Sequence, residues 1–348
     1  MQSTVYITSH NGTLNNNSEV LFYKDYKGNV VKLLPDKVKE IVLIGRTTIT
    51  SGAFSLLFRN QINVVFLSSM GRYMSRLVYH ERKNTLLRHQ QHLVGANEVQ
   101  SLSIAKDIVR GKLHNQYLYL QRIARKTEDQ DGRIGRAIED LSFVRRQLEL
   151  SKKKDELLGL EGDGSRIYFS CLGENISCAW TKFEKRSRKP PLDPVNAVLS
   201  LLYTILTNKI SGYLHASGLD PGIGSLHAIS YGRESLACDL VEEFRTPIVD
   251  TLTCSLFNMG VLKKEHFREA DYNNPEEQSS KGTKLAILLT DDGYKKTLAQ
   301  FERKLLEKHI YPLNGKALSY DEILQEQIKQ YKKVISGAEE HYKPLIVT

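Results

Sequence analysis

A histidine and two carboxylates lie close together in one segment of the sequence. His227 follows a loop that contains Gly224, and Asp239 and Glu242 lie three residues apart in a run that is typical of a helix. Side chains three apart on a helix lie about 60° from one another, so both carboxylates can reach one point. One imidazole with carboxylate oxygens suits Mg²⁺ or Mn²⁺ better than it suits a metal that prefers thiolates. The segment therefore indicates a metal site.

An ordinary structural explanation is also open for these residues. Apolar residues such as Leu236 and Leu240 fall on one side of the predicted helix, residues 235–245, and Asp239 and Glu242 then belong to its solvent-exposed side. A single histidine in a loop is commonly a surface residue or a local hydrogen-bonding group. Spacing alone favours the structural explanation and does not exclude the metal site.

The best candidate for a third protein ligand is Glu161. Gly159 and Gly162 flank it, and glycines leave room for a close approach by backbone or phosphate. The alternative is that Glu161 is simply an acid at a helix end that glycine caps.

The chain is strongly basic. It has 348 residues, a net charge of +9 and a pI near 9.1, which suits a polyanionic partner such as DNA or RNA. Basic residues outnumber acids between Glu81 and Lys126, which indicates either a solvated helix face or a surface that follows phosphates. A second basic cluster precedes a proline-rich loop that can hold its charges in place. Its members are Lys182, Lys185, Arg186, Arg188 and Lys189.

The remaining patterns indicate an α+β fold in two parts. Residues 1–80 form a small β-rich domain, because short β-branched and aromatic runs alternate there with turn clusters. The predicted strands are 5–7, 20–23, 30–34, 41–44, 62–67 and 73–79. Thr50 or Ser51 can cap a short helix at 50–60. Residues 81–348 form a larger, all-α domain, with helices expected at 103–113, 138–156 and 195–210. It contains the candidate metal ligands and is therefore the expected catalytic domain. The polar stretch 263–284 is expected to be a surface loop.

Compositional features exclude several other classes of protein. The four cysteines show no paired spacing, so neither a zinc ribbon nor a disulfide framework is indicated, and buried reduced thiols are expected. No stretch approaches the roughly 18 apolar residues of a membrane span, and the N-terminus lacks a signal-peptide pattern. We therefore expect a soluble cytoplasmic protein without a membrane partner.

Several motifs occur together in an order that is similar to one family. They are Leu160–Phe169, Arg188–Ala197, Gly218–Pro221, Leu226–His227 and Gly232–Arg245, with Ile108–Gln116 upstream and Tyr320–Ile323 and Gln327 downstream. This order resembles the CRISPR-associated integrases, the Cas-one proteins of spacer acquisition. The resemblance covers most of the chain, and the β-then-α division matches the two-domain plan of that family.

The resemblance implies a metal-dependent DNA endonuclease and integrase that uses Mg²⁺ or Mn²⁺. Glu161, His227 and Glu242 match the metal ligands of the family, and Asp239 is a neighbouring acid with a catalytic contribution. Some family members have aspartate at the position of Glu242, so the division of roles between Asp239 and Glu242 stays open. The expected DNA contacts, each of which has a structural ion pair as its alternative, are Arg166, Arg186, Arg188, Lys189, Arg233 and Arg245.

The same resemblance implies a reaction and partners. The 3′ hydroxyl of a short DNA fragment attacks a phosphodiester at a CRISPR repeat boundary, and water in its place gives hydrolysis. A homodimer, with residues 1–80 in dimer or partner contacts, joins the smaller Cas-two subunit on DNA. The alternatives are a DNA-binding scaffold without catalysis and a repair nuclease for branched DNA.

Overall fold

Two four-stranded sheets form the N-terminal part of the chain. The computed structural model describes residues 3–8, 11–68, 71, 73–77, 84–127, 129, 131–272 and 284–347. The strands are β1 Ser3–Ile7, β2 Gly12–Asn17, β3 Val20–Lys24, β4 Val30–Leu33, β5 Val38–Ile44, β6 Thr47–Ile49, β7 Asn63–Leu67 and β8 Tyr73–Leu77. Their order is β1-β5-β7-β8 in the first sheet and β4-β3-β2-β6 in the second.

The central strands of the first sheet, β5 and β7, are largely buried, and their side chains pack into two different cores. Its strands β1, β5 and β7 run parallel, and β8 is antiparallel to β7. Along β5, Ile41 and Leu43 pack into the N-terminal core, whereas Val42 and Ile44 pack into the large helical core. Continuous apolar strands are typical of parallel sheets that are covered on both sides.

The predicted β-rich character and the short helix are both present. Helix α1 spans Ser51–Arg59, and the Thr50 side chain caps it by accepting from the N–H of Ala53. Strands β2 and β6 were not predicted, because the asparagine-rich β2 has only one large apolar residue, the fully buried Leu14. Strand pairing with β3 fixes β2 in spite of its weak sequence signal.

Long helices dominate the rest of the chain. They are α2 Thr85–Ala96, α3 Glu98–Ala124, α4 Arg133–Leu150, α5 Lys154–Leu172, α6 Pro194–Ser217, α7 Ser235–Leu240, α8 Glu242–Phe244, α9 Thr251–Asn258, α10 Asp291–Leu306 and α11 Tyr320–Ile335. A π-helical turn, Arg245–Asp250, joins α8 to α9. The predicted domain boundary at residues 80 and 81 lies outside the described residues.

The single helix predicted at 138–156 is wrong, because α4 ends and α5 begins within it. The Glu156 carboxylate accepts the N–H of Lys152 at 2.8 Å and so satisfies backbone donors at the break. Helix α5 then runs through Gly159 and Gly162, which places Glu161 in a helix interior rather than at a glycine-capped end.

The helical part also contains two pairs of antiparallel strands. They are consistent with the predicted α+β class, but the prediction that this domain is all-α did not include them. Strand β9 Phe267–Tyr272 pairs with β10 Lys284–Leu289, and β11 Lys308–Ile310 pairs with β12 Ala317–Ser319. The predicted surface loop 263–284 is therefore wrong over β9, and its residues 273–283 lie outside the described ranges.

The four cysteines form no disulfide bond: Cys171 and Cys254 are buried, and Cys178 and Cys238 are half-buried. Among the described helices, none is long and apolar enough to cross a membrane.

Candidate metal centre

Close packing of α3 against α5 positions the first part of the site. Gly164 of α5 faces Leu113 of α3, and a Cβ atom at Gly164 would lie 2.4 Å from Leu113 Cδ2. Only a residue without a side chain permits this approach. The neighbour of Leu113 on α3, Lys112, therefore extends toward Glu161, one turn before Gly164.

Lys112 connects two of the three predicted metal ligands. Its ammonium contacts Glu161 Oε1 of α5 and lies 2.7 Å from Glu242 Oε2 of α8. The side chains of Lys112 and Glu242 are each only 5% exposed, and that of Glu161 is 21% exposed. Two carboxylates from separate helices thus meet at one buried cation, with Glu161 on the side nearer to solvent.

Positive charges keep Glu242 ionised in spite of its burial. Burial raises the pKa of Glu242, but Arg245 and Lys112 oppose this effect and hold that pKa at about 2. Arg245 Nε lies 3.1 Å from Glu242 Oε2, and the Arg245 guanidinium lies over the Tyr203 ring at 4.5 Å. Lys112 and Arg245 thus form ion pairs with the same buried oxygen, Oε2 of Glu242.

The π-helical turn, which begins at Arg245 and ends at Asp250, fixes the Tyr203 ring that lies against the Arg245 guanidinium. Tyr203 donates to Asp250 Oδ1, and Tyr168 donates to Asp250 Oδ2 at 2.8 Å. Pro247 lies inside this turn and cannot donate an N–H to a regular helix. π-Helical turns of this kind are common at functional sites because they re-aim neighbouring side chains.

Asp239 has a different role from Glu242, because it organises the loop that carries His227. Asp239 Oδ2 accepts the N–H groups of Ser225 and Leu226, at 2.6 and 2.9 Å, and Oδ1 accepts the N–H of His227 at 2.9 Å. Gly224 permits the approach, since a Cβ there would lie 2.6 Å from Asp239 Oδ2. Asp239 is fully buried, so the solvent-exposed helix face considered for Asp239 and Glu242 is wrong.

Asp239 also orients the imidazole. His227 Nδ1 lies 2.7 Å from Asp239 Oδ1, which favours the tautomer that donates from Nδ1. The opposite nitrogen, Nε2, then carries the lone pair that a metal ion requires. The residues that follow His227, from Ala228 to Arg233, are all exposed, so the histidine lies at an open edge of the protein.

The donor set fits a hard divalent ion. Two carboxylates and an imidazole are suitable ligands for Mg²⁺ or Mn²⁺, and the Lys112 ammonium shows that a cation is stable where the carboxylates meet. In the described part of the chain, no three acid, histidine or cysteine side chains lie close enough together to hold a metal ion as they stand. The structure brings Glu161 and Glu242 together at the Lys112 ammonium, whereas the described contacts of the His227 ring are with Asp239.

Glu243, the neighbour of Glu242, points into a separate network that holds the C-terminal segment. Its carboxylate accepts from Gln327, from Tyr342 at 2.7 Å and from the N–H of Leu345 at 2.6 Å. Asn115 of α3 donates to the carbonyls of Glu243 and Leu345. Burial raises the pKa of Glu243 to about 7. The end of the chain is thus fixed to the same helices that carry Lys112 and Glu242.

The six predicted DNA contacts divide into two groups. Arg245 lies in the buried network, and Arg186 donates to Asn196 Oδ1 at 2.7 Å and to Ser200 Oγ at 3.0 Å, so both have structural partners. The others are exposed: Arg166, Arg188, Lys189 and Arg233. Among the exposed residues, Arg166 pairs with Asp163 at 3.4 Å.

Lys112, Tyr203 and Asp250 are site residues that were not singled out from the sequence. Lys112 carried a usable signal, because it lies four residues after Ile108 and three after Val109, on the apolar side of α3. A lysine at such a position has a buried anionic partner more often than not. Tyr203 and Asp250 reach the site only through the tertiary fold.

Comparisons with known proteins agree with this architecture. A family model described as CRISPR associated protein Cas1 matches residues 5–303. The CRISPR-associated endonuclease Cas1 3 of Thermus thermophilus is 32% identical over 310 residues, which cover 89% of this chain and 86% of the relative. The CRISPR-associated endonuclease Cas1 1 of Thermodesulfovibrio yellowstonii is 34% identical over 288 residues, which cover 82% and 86%.

Solved structures share the fold. A CAS1 protein from Thermotoga maritima superposes with a TM-score of 0.82 at 23% identity, over 98% of this chain and 99% of that one. A casposase bound to integration product gives a TM-score of 0.83 at 19% identity, over 99% and 93%. A Cas6-RT-Cas1–Cas2 complex gives 0.82 at 22% identity, over 99% of this chain and 36% of the other. With a family model that covers most of its length and relatives above 30% identity, the chain belongs to the Cas1 family of CRISPR-associated proteins.

Proposed function

We propose that this protein is a metal-dependent DNA endonuclease and integrase, in which Glu161, His227 and Glu242 hold Mg²⁺ or Mn²⁺. The observation that supports the proposal most is the meeting of Glu161 and Glu242 at one buried cation, beside a histidine oriented by Asp239. Relatives above 30% identity are named as endonucleases, and one structure with the same fold is a casposase bound to integration product.

Each site residue has a separate role in the proposed phosphoryl transfer. A bound divalent ion supplies charge stabilisation to a phosphodiester and lowers the pKa of the attacking hydroxyl. Arg245 and Lys112 keep Glu242 ionised, and Asp239 keeps His227 Nε2 available. Phosphoryl transfer requires mainly positioning and charge stabilisation, so no covalent protein nucleophile is needed. Attack by a DNA 3′ hydroxyl gives integration at a CRISPR repeat, and attack by water gives cleavage.

Exposed bases supply the DNA-binding surface of the proposal. In the sequence, Arg166 on α5 lies five residues after Glu161, and Arg233 lies six residues after His227. Arg188 and Lys189 are two further exposed bases. Contacts of this type add affinity through phosphate neutralisation and carry little sequence information. Sequence preference for a repeat must then come from other parts of an assembly.

We further propose that the chain acts as a homodimer together with a smaller Cas2 subunit. One structure with the same fold is a Cas6-RT-Cas1–Cas2 complex. The edge strand β4 exposes Val30 and Val31, which are 59% and 53% accessible, and offers a surface in residues 1–80 for such contacts. Sedimentation of the chain alone and with Cas2 measures both associations.

A strand-transfer and cleavage assay with Mn²⁺ tests the function. We expect His227→Ala and Glu242→Ala each to lower transfer at least 100-fold, because each removes a ligand. Asp163→Asn is the matched control, since it removes a carboxylate two residues from Glu161 on the exposed side of α5. Equal transfer by all variants would favour a DNA-binding scaffold without catalysis. Turnover on branched DNA with no preference between a repeat and a scrambled target would favour a repair nuclease.

A further inference from the structure

Lys112 occupies the position where the two carboxylate ligands of the proposed metal site meet. Its ammonium contacts Glu161 Oε1 and lies 2.7 Å from Glu242 Oε2. A metal ion bound by these same oxygens would lie within about 2.3 Å of each. An ammonium and a divalent ion cannot both occupy that space, because they would overlap and their charges would repel.

The buried Lys112 ammonium forms ion pairs with both Glu161 and Glu242. The side chain is 5% exposed and projects from α3 between α5 and α8, two helices that have no other described ion pair between them. Ser165 donates to Glu161 Oε1 at 3.1 Å, and Arg245 Nε lies 3.1 Å from Glu242 Oε2, the oxygen that Lys112 also contacts. Without the ammonium, Glu161 and Glu242 would face each other as like charges at low solvent exposure, which is costly.

We propose that Lys112 is the resident counter-ion of the metal-free site. It keeps the two carboxylates close together in the metal-free protein, and it competes with the metal for their oxygens. Metal binding therefore requires the lysine side chain to move away. Lys112 therefore stabilises the metal-free protein and weakens metal affinity at the same time. This inference rests on the proposed assignment of Glu161 and Glu242 as metal ligands.

The test measures metal binding and stability without DNA, so it does not depend on catalysis. Lys112→Met keeps a long apolar stem and removes the charge, whereas Lys112→Arg keeps the charge. In EDTA, Lys112→Met should melt at a lower temperature than the unaltered protein. In calorimetric titration with Mn²⁺, the same variant should bind about tenfold more tightly, because no cation has to be displaced. Lys112→Arg should bind Mn²⁺ with an affinity near that of the unaltered protein.

Lys209→Met is the matched control. Lys209 is also a buried lysine between two acids, 3.9 Å from Glu302 and 3.7 Å from Asp321, but it lies away from the proposed site. Its replacement should lower the melting temperature and leave Mn²⁺ affinity unchanged. This control separates a general effect of losing a buried ion pair from competition at the metal site.

The outcomes distinguish this inference from the metal site itself. Unchanged or weaker Mn²⁺ binding by Lys112→Met, with normal binding by the unaltered protein, overturns the counter-ion role alone. Failure of both proteins to bind Mn²⁺ overturns the metal site and this inference together. Tighter binding by Lys112→Met that disappears in the double variant with Glu242→Gln supports both.

Discussion

The carboxylate of Asp239 fixes both the ring and the backbone of His227: Nδ1 lies 2.7 Å and the backbone N–H nitrogen 2.9 Å from the same oxygen, Oδ1. Asp239 and Glu242 therefore have different contacts in the structure. Glu242 faces the buried cation, and Asp239 positions the histidine and its loop. Outer carboxylates of this kind fix the tautomer and direction of a metal-binding histidine.

Replacing Asp239 should weaken binding at the proposed metal site, although Asp239 is not one of its three proposed ligands. In Asp239→Asn, an amide NH₂ must face either the N–H groups of Ser225 and Leu226 or the His227 side, and each arrangement brings donors together. We expect Mn²⁺ affinity to fall about 10–100-fold. Calorimetric titration of this variant beside Asp163→Asn checks the prediction, and equal affinities would show that Asp239 does not position the ligand.

A methyl group at Gly164 should separate α3 from α5. Gly164→Ala places a Cβ 2.4 Å from Leu113 Cδ2, and overpacking of this kind costs about 1–3 kcal/mol of unfolding free energy. Gly162→Ala in the same helix meets open space and should stabilise by up to about 1 kcal/mol through helix propensity. Denaturant unfolding of both variants gives the comparison. A stable Gly164→Ala protein would mean that the helix contact is not tight.

Asn115 should control the attachment of the C-terminal segment. Its side chain donates to the carbonyls of Glu243 and Leu345 and accepts the N–H of Val347. Asn115→Ala removes these bonds from buried groups and should cost about 2–4 kcal/mol. Limited proteolysis should then cleave near residue 342 in the variant and spare the unaltered protein. Equal resistance of both proteins would count against this anchor.

His215 on α6 should make stability depend on pH. Burial and the nearby charge of Arg76 lower the pKa of His215 to about 4. Below about pH 6.5 the unfolded chain binds a proton at His215, whereas the native state binds it only near pH 4. The free energy of unfolding should therefore decrease as pH falls from about 6.5 to 4. The loss should be about 1–2 kcal/mol, because the ring is partly exposed.

His215→Asn removes this titration and is the variant to compare. Unfolding free energies at pH 7 and pH 5 should differ less for the variant than for the unaltered protein. The same pH dependence in both would assign the effect to other groups.

The sequence predicted those features that local patterns specify. Strand β5 and helix α1 have strong apolar or capping signals, and both are present. The asparagine-rich β2 was missed because cross-strand pairing, and not its own composition, makes it a strand. The break between α4 and α5 was missed because the polar run 151–156 contains no glycine or proline to mark the end of a helix. A side-chain carboxylate replaces backbone partners there.

The candidate site shows the same division. Residue types and family resemblance indicated Glu161, His227 and Glu242, and those assignments remain predictions. The burial of Asp239, the position of Lys112 and the Arg245–Tyr203 contact depend on how helices distant in sequence pack together. No local pattern encodes such contacts. The one partial signal is Lys112 on the apolar side of α3, which indicates a buried acidic partner without identifying it.

The most direct test of the metal site is an anomalous difference map from crystals soaked in Mn²⁺. We expect one strong peak within about 2.0–2.3 Å of a Glu161 oxygen, a Glu242 oxygen and His227 Nε2. The Lys112 ammonium should have moved away from its position between the carboxylates. A saturated crystal with no peak at these three residues, or with manganese bound only elsewhere, would contradict the account.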